Sequence, residues 1–283
     1  MSKHPEQVAI NGVLGSNSDI ARRNLFPDAK SYPCLTFEEA FQALKSGKVD
    51  LALIPVDNTL AGRVADVHHL LATSDFYIIG EYFLPIDFAL LCLKAADISD
   101  LTDVYSHVHA IPQCRKIIKE LGLKSHVHPD TAGAAADVAK WGDKTKCALA
   151  PTLAAEIYDL KILREKVQDS ANNTTRFLIL SRDMTRARKE AHIYLTSFYF
   201  EVRNIPAALY KALGGFATNG VQMLKLESYV DENFNVARFY AEILGHLDDR
   251  AVGLALEELA FFAKSIRMMG TYPAHEFRQL TKD

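Results

Sequence analysis

The sequence predicts an α/β protein that ends in a small βαββαβ domain. Two observations carry this. Through about residue 187, short apolar strands give way to glycine or asparagine turns and then to capped helices. Past Arg188-Lys189-Glu190 the composition shifts, and strand, helix, two strands, helix and strand follow in that order. A chain of 283 residues is long enough for one large or two to three small domains.

The first element is a strand over Gln7 to Ile10. Asn11-Gly12-Val13-Leu14-Gly15-Ser16-Asn17-Ser18-Asp19 then turns the chain into a helix, with Ser16 and Ser18 as N-cap candidates. A helix start offers free N–H groups and a positive dipole end, suited to a carboxylate, although a plain βα turn with no ligand looks the same. The segment lacks a Gly-x-Gly-x-x-Gly pattern, which argues against a dinucleotide. Thr36-Phe37-Glu38-Glu39 reads as a capping box for a helix that stops at Gly47. Val49 to Pro55 follows as a buried strand. Asp57, Asn58 and Thr59 lie at its carboxyl end, where open α/β sheets bind ligands.

Ile78-Ile79 and Phe88 to Leu93 read as buried strands, with Pro85 marking a crossover between two lobes. A short strand ends at Tyr105-Ser106-His107-Val108-His109, and Pro112 is expected to open a helix through Leu121, closed by Gly122. His107 with His109, and His126 with His128, invite a metal reading, but alternate strand positions share a face by default and no third ligand stands at a matching spacing. Asp130 is expected to cap a helix, leaving Thr131 and the N–H groups of Ala132 and Gly133 as a second anion-binding position. Cys147 to Ala150 is a strand. Ser170-Ala171-Asn172-Asn173-Thr174-Thr175-Arg176 then enters a buried strand from Phe177 to Leu180. Hydroxyls and a guanidinium on the rigid edge of a strand are where sites are built.

The last domain reads as strand 193–202, helix 206–218, strands 221–229 and 234–244, helix 248–263 and strand 265–269. Thr196, Phe198, Phe200 and Val202 alternate onto one face, and Leu209, Leu213 and Phe216 recur at helical spacing.

Composition narrows the function classes. Hydrophobic residues make up 49% and charged residues 24%, the mixture of a soluble globular protein. The net charge of -3 argues against nucleic acid or an anionic membrane as main partner. No apolar run approaches the ~20 residues of a membrane helix, and the N-terminus has no signal-peptide core. Cys34, Cys92, Cys114 and Cys147 form no Cys-x-x-Cys pair and read as reduced, mostly buried thiols of a cytoplasmic protein.

Asn172-Asn173-Thr174-Thr175-Arg176-Phe177 resembles the Asn-x-Thr-Arg-Phe signature of prephenate dehydratases. Four further segments resemble that family in order. Gly12 to Ser18 is similar to its Gly-x-x-Gly-Ser-x-Ser. Pro55 to Gly62 is similar to Pro-x-Glu-Asn-Ser-x-x-Gly, with Asp57 and Thr59 replacing glutamate and serine. Ser106 to Cys114 is similar to Ser-His-x-Gln-Ala-Leu-x-Gln-Cys, with His109 in place of the first glutamine. Asp130 to Ala135 matches Asp-Thr-Ala-x-Ala-Ala. The last domain, through Pro206 to Leu209, Leu226-Glu227-Ser228, Gly245-His246 and Gly270 to Pro273, resembles an ACT domain, the amino-acid sensor of these enzymes. It departs at Ala207, where the family has glycine, and at Tyr229-Val230, where the family has arginine and proline.

The resemblance implies a monofunctional enzyme converting prephenate to phenylpyruvate in phenylalanine biosynthesis, with no fused chorismate mutase and no cofactor or metal. It implies a catalytic domain over residues 1–187, a two-lobe fold like that of periplasmic binding proteins. Lobe one would be about 1–84 with 171–187, lobe two about 85–170, and the ACT domain 191–283. The family's catalytic threonine falls on Thr175. Substrate contacts are expected from Ser16, Asn17, Ser18, Asn58, Thr59, Ser106, Thr131, Ala132, Gly133, Arg176 and Phe177, with Ser16, Asn58, Thr131 and Arg176 converging between the lobes. Phenylalanine contacts are expected from Asn204, Ala207, Ala208, Leu209, Glu227 and Ser228. A homodimer or homotetramer is expected, because edge strands of such domains pair across subunits. Two other readings share these features: arogenate dehydratase, and a non-catalytic small-molecule sensor on the same fold.

Overall fold

The structure, a computed structural model, describes residues 4–184, 192–203, 205–230 and 236–278. The domain boundary expected at 187–191, Asn204, and the expected start of a strand at Phe234 lie outside them.

In chain order the strands and helices are β1 (Gln7–Asn11), α1 (Asn17–Leu25), β2 (Lys30–Cys34), α2 (Phe37–Lys45), β3 (Leu51–Asn58), β4 (Gly62–Arg63), α3 (Ala65–Thr73), β5 (Tyr77–Pro85) and β6 (Ala89–Cys92). Then come β7 (Asp103–His107), α4 (Arg115–Glu120), β8 (Lys124–His128), α5 (Thr131–Trp141), β9 (Lys146–Ala150), α6 (Thr152–Ile157), β10 (Lys161–Arg164) and β11 (Thr174–Ser181). The chain ends with β12 (Tyr194–Val202), α7 (Ala208–Thr218), β13 (Met223–Val230), β14 (Val236–Leu244), α8 (Arg250–Phe262) and β15 (Ala263–Pro273).

By contact the chain divides into two compact units, Met1–Leu70 with Tyr82–Phe177, and Leu71–Glu81 with Leu178–Asp283. Residues 7–181 form two sheets. One has the order β2-β1-β3-β11-β5, with β4 on β3, and the other β10-β6-β9-β7-β8. In the first, β1 pairs in parallel with β2 and β3, as βα units require. In the second, β7 is parallel to β8 and β9, while β6 is antiparallel to β9 and β10. Ala132, Ala135 and Val138 of α5 pack on Ala89, Leu91 and Ala148 of that sheet. All four cysteines are buried and unbridged.

Side-chain caps fix the helix starts. The Ser16 hydroxyl accepts from the Asp19 N–H at 3.3 Å, that of Thr36 from Glu39 at 3.2 Å, and the Asp130 carboxylate from Gly133 at 2.7 Å. At α2 the reciprocal bond is displaced by one residue, since the Glu39 carboxylate takes the N–H of Leu35 at 2.7 Å, not that of Thr36.

The helix expected from Pro112 to Leu121 is split. A 3₁₀ turn spans Ile111–Gln113, Cys114 leaves helical geometry with φ -125°, and α4 starts at Arg115. Asp169 causes the restart by accepting the N–H groups of Arg115 and Lys116. β5 runs unbroken from Tyr77 to Pro85, longer than the Ile78-Ile79 pair.

The second unit contains a four-stranded antiparallel sheet, order β13-β14-β12-β15, with β12-α7-β13-β14-α8-β15 connectivity, the ferredoxin-like arrangement. Phe198, Phe200 and Phe239 face α7 and α8, packing on Phe216, Val252 and Leu259. α7 starts at Ala208, two residues after the expected Pro206, because Ala207 is left-handed (φ 58°, ψ 28°). β15 extends through Pro273, beyond the expected Met269, because β12 pairs along its full length as far as Tyr194 opposite Pro273.

The segment Leu71–Glu81, read in sequence as part of the first lobe, is grouped by contact with this C-terminal sheet. Gly270 makes that packing close: a Cβ there would lie 2.0 Å from the Ile78 carbonyl oxygen. Arg278 grips the fully buried Glu81 carboxylate with both arms of its fork, at 2.7 and 2.9 Å, and reaches Glu242 at 3.3 Å.

Candidate active site

The site is built where β3 ends and β11 begins. The contacts Asn58–Thr175 and Asp57–Arg176 run in opposite chain directions, so the two strands meet antiparallel. The Asn58 carbonyl oxygen accepts the N–H groups of Leu60 and Ala61 at 2.9 and 2.8 Å, an Asx turn that leads into β4. That fixes the orientation of the amide. Its NH₂ must face β11, where it lies 2.9 Å from Thr175 Oγ1 and 2.8 Å from Asn173 Oδ1. Thr175 Oγ1 therefore accepts from Asn58, and its own O–H is directed elsewhere.

Two residues absent from the expected set complete this chain of amides. Asn173 is 2% exposed and donates from Nδ2 to Gln113 Oε1 at 2.6 Å. Gln113 donates in turn to the His109 carbonyl at 2.8 Å. Both stand inside quoted motifs, yet 60 residues separate them, so only folding shows that they touch.

Five expected contacts have other tasks. The Thr59 hydroxyl donates to Asn172 O at 2.8 Å and accepts the Thr174 N–H at 3.0 Å, clasping the loop. Ser106 is fully buried and donates to the Leu149 carbonyl at 2.6 Å, joining β7 to β9. Phe177 and Ala132 are core residues, 1% and 0% exposed. Arg176 departs most. Consecutive strand residues point to opposite faces, so Arg176 is turned away from the Thr175 side, and its Nη1 lies 3.6 Å from Asp57 Oδ2. The expected convergence of Arg176 with Asn58 fails for this reason.

The two helix starts do come together. A Cβ on Gly12 would stand 2.4 Å from Asp130 Oδ2 and 3.3 Å from Ser16 Cβ, so the Gly12–Ser16 turn abuts the start of α5. Tyr158, not singled out in the sequence, donates to the Leu14 carbonyl at 2.7 Å and ties the second lobe to this turn. Ser16 and Ser18 are buried, and Asn17 is half-buried. Each of these helix starts already has one N–H taken by a carboxylate of the chain. Asp130 occupies the Gly133 N–H. Asp19 takes the Gly15 N–H at 3.0 Å, pairs with Arg22 and Arg23, and accepts from Ser31. Burial works to raise the Asp19 carboxyl, but the Gly15 N–H, Ser31 and Arg22 outweigh it and hold it below its ordinary value.

His107 is held below its ordinary value by burial and by His109, so it is largely neutral at pH 7; Asp130 opposes this shift and His128 adds to it. His126 is 2.6 Å from Asp103, and His128 is 3.3 Å from Asp137. These local partners account for both without a metal.

Among the expected phenylalanine contacts, Ala208 is buried and Leu209 packs into the domain core. Glu227 is half-buried, paired with Lys225 at 3.1 Å, and accepts from the Tyr229 hydroxyl at 3.0 Å; Ser228 is exposed.

Residues 8–185 match the family model described as prephenate dehydratase. A bifunctional N-acyl-homoserine lactone acylase/prephenate dehydratase of Komagataeibacter europaeus is 41% identical, covering 96% of this chain and 97% of its own. Arogenate dehydratase/prephenate dehydratase 1 of Arabidopsis thaliana, a chloroplastic protein, is 34% identical over 94% of this chain and 72% of its own. The solved prephenate dehydratase of Arthrobacter aurescens, in complex with L-Phe, superposes with a TM-score of 0.86 at 25% identity, covering 95% of this chain and 90% of that one. A match to the family model over most of the chain, and full-length relatives of the same name, place this chain among the prephenate dehydratases, hydro-lyases of phenylalanine biosynthesis.

Proposed function

We propose that the chain removes carbon dioxide and water from prephenate to give phenylpyruvate, with Thr175 assisting departure of the C4 hydroxyl. The carrying observation is the orientation of Asn58, whose amide donates to Thr175 Oγ1 and leaves the threonine proton for another acceptor. In the reaction the C–C bond to the ring carboxylate breaks. Its electron pair enters the ring, which becomes aromatic, and the C4–O bond breaks with its electrons going to oxygen. That oxygen gains negative charge as it leaves and must be hydrogen-bonded, then protonated. A threonine hydroxyl is too weak an acid to lose its proton outright, so Thr175 acts as a preorganised donor to the developing charge. First-turn N–H groups of α1 and α5 not taken by the caps receive substrate carboxylate.

Thr175→Ala should lower kcat by about 10²–10⁴-fold with little change in KM, and Thr175→Ser should keep most activity. Unchanged kcat in Thr175→Ala would remove Thr175 from the mechanism.

The catalytic domain is read as 1–187 and the ACT domain as 191–283, the latter binding phenylalanine as a feedback inhibitor in a homo-oligomer. The L-Phe complex of the Arthrobacter aurescens relative supports the phenylalanine binding. Four buried, unbridged thiols suit a cytoplasmic enzyme. The plant relatives make arogenate the second substrate to assay, and the bifunctional relative makes N-acyl-homoserine lactone the third. Turnover of prephenate at the highest kcat/KM of the three is the expected result.

A further inference from the structure

The second unit holds a cavity of about 150 Å³ lined by Ala72, Tyr199, Glu201, Arg238, Ser265 and Arg267. That is room for a molecule of several non-hydrogen atoms. Its charges do not balance. Arg238 donates to Glu201 Oε1 at 3.0 and 3.3 Å, and to the Ala72 carbonyl at 3.0 Å. Lys264 lies 3.7 Å from the other Glu201 oxygen. Among the described residues Arg267 pairs with no carboxylate. It reaches only the carbonyls of Ala72 and Phe76, at 3.5 and 3.3 Å, the long end of the hydrogen-bond range. Within the lining one carboxylate, Glu201, thus faces two guanidiniums, while Glu227 near Tyr199 is paired with Lys225.

We propose that this cavity binds a small monocarboxylate on Arg267. A carboxylate forms charge-assisted bonds roughly twice as strong as those to neutral carbonyls, so it displaces the two long contacts. Glu201 sets the charge of the ligand, because a dianion would meet it within the same small space. Burial and the nearby Glu227 raise the Tyr199 phenol, so the wall it forms stays uncharged. The displaced carbonyls belong to the end of α3 and the approach to β5, so an occupied cavity loosens the hold of the C-terminal sheet on that segment.

The test is calorimetric titration of the full chain with acetate, against chloride at matched ionic strength and with inorganic phosphate as a second arm. Acetate should bind saturably and more tightly than phosphate. Arg267→Gln should weaken acetate at least about tenfold, the loss of a charged hydrogen bond. Ser265→Asp adds a negative charge at an exposed position of the lining, removes no contact that holds the fold, and should also weaken acetate. No saturable acetate binding in the wild type at tens of millimolar, phosphate binding as tight as acetate, or acetate affinity unchanged in Ser265→Asp would each overturn the proposal. Binding that persists in both variants belongs to another site and overturns it equally.

Discussion

Asn58 shows how one side chain sets the chemistry of another. Its carbonyl oxygen is held by two backbone N–H groups, so its donor end has one orientation, and that orientation makes Thr175 Oγ1 an acceptor. Asn58→Asp keeps the turn but replaces the donor with an acceptor. The Thr175 proton then turns inward, and kcat should fall at least about tenfold, the worth of one oriented hydrogen bond. Steady-state kinetics of the refolded variant check this, and a wild-type kcat would contradict it. Thr175 and Asn58 were legible in the sequence because each stands in a compact motif. Asn173 and Gln113 were overlooked although their motifs were quoted, because a string of amides between distant segments leaves no local pattern. Arg176 was misjudged for a simpler reason. Adjacent residues in a motif were taken as adjacent in a site, whereas a strand sends them to opposite faces.

Elements were legible where a side chain marks their ends, as Ser16, Thr36 and Asp130 do, and illegible where a distant partner decides their length, as β12 does for β15. Ala207 is the local exception, an alanine held at φ 58° ahead of α7. Left-handed geometry costs a non-glycine residue roughly 1–2 kcal/mol, and glycine recovers this less its larger folding entropy, so Ala207→Gly should stabilise the protein by up to about 1 kcal/mol. Gly270→Ala should do the reverse by about 3 kcal/mol, because its Cβ would strike the Ile78 backbone. Urea unfolding of both variants measures the two effects. α1 also carries a pH dependence. The folded Asp19 carboxyl is held below its ordinary value of 3.8, so its stabilisation is present above that value. It is lost as pH falls below it through the lower folded value. Asp19→Asn should flatten the fall in stability on that acid side, and an unchanged acid limb would exclude Asp19 as a source.

At the scale of the whole molecule, the order of motifs pointed to the family, and two α/β sheets followed by a ferredoxin-like domain are what the chain forms. The attachment of Leu71–Glu81 to the C-terminal sheet had no sequence signal, since it rests on Gly270 and on the buried Arg278–Glu81 fork. Control is expected at the same scale. Phenylalanine titrated against the dehydratase activity of the full chain should inhibit it, and Ala207→Gly should inhibit at lower concentration if close backbone approach at that turn governs the affinity. Inhibition in neither protein would leave the ACT domain a purely structural part. The four thiols, finally, make the molecule its own footprinting reporter. Cys34 ends β2 in the first sheet, Cys92 and Cys147 lie on adjacent strands of the second, and Cys114 precedes α4. Burial pushes Cys34 up to about 11 and Cys114 up to about 12, so neither is a reactive thiolate in the closed protein. Alkylation at neutral pH therefore proceeds only through opening, and the labelling rate of each cysteine reads the opening frequency of its own lobe, with no probe added to the chain.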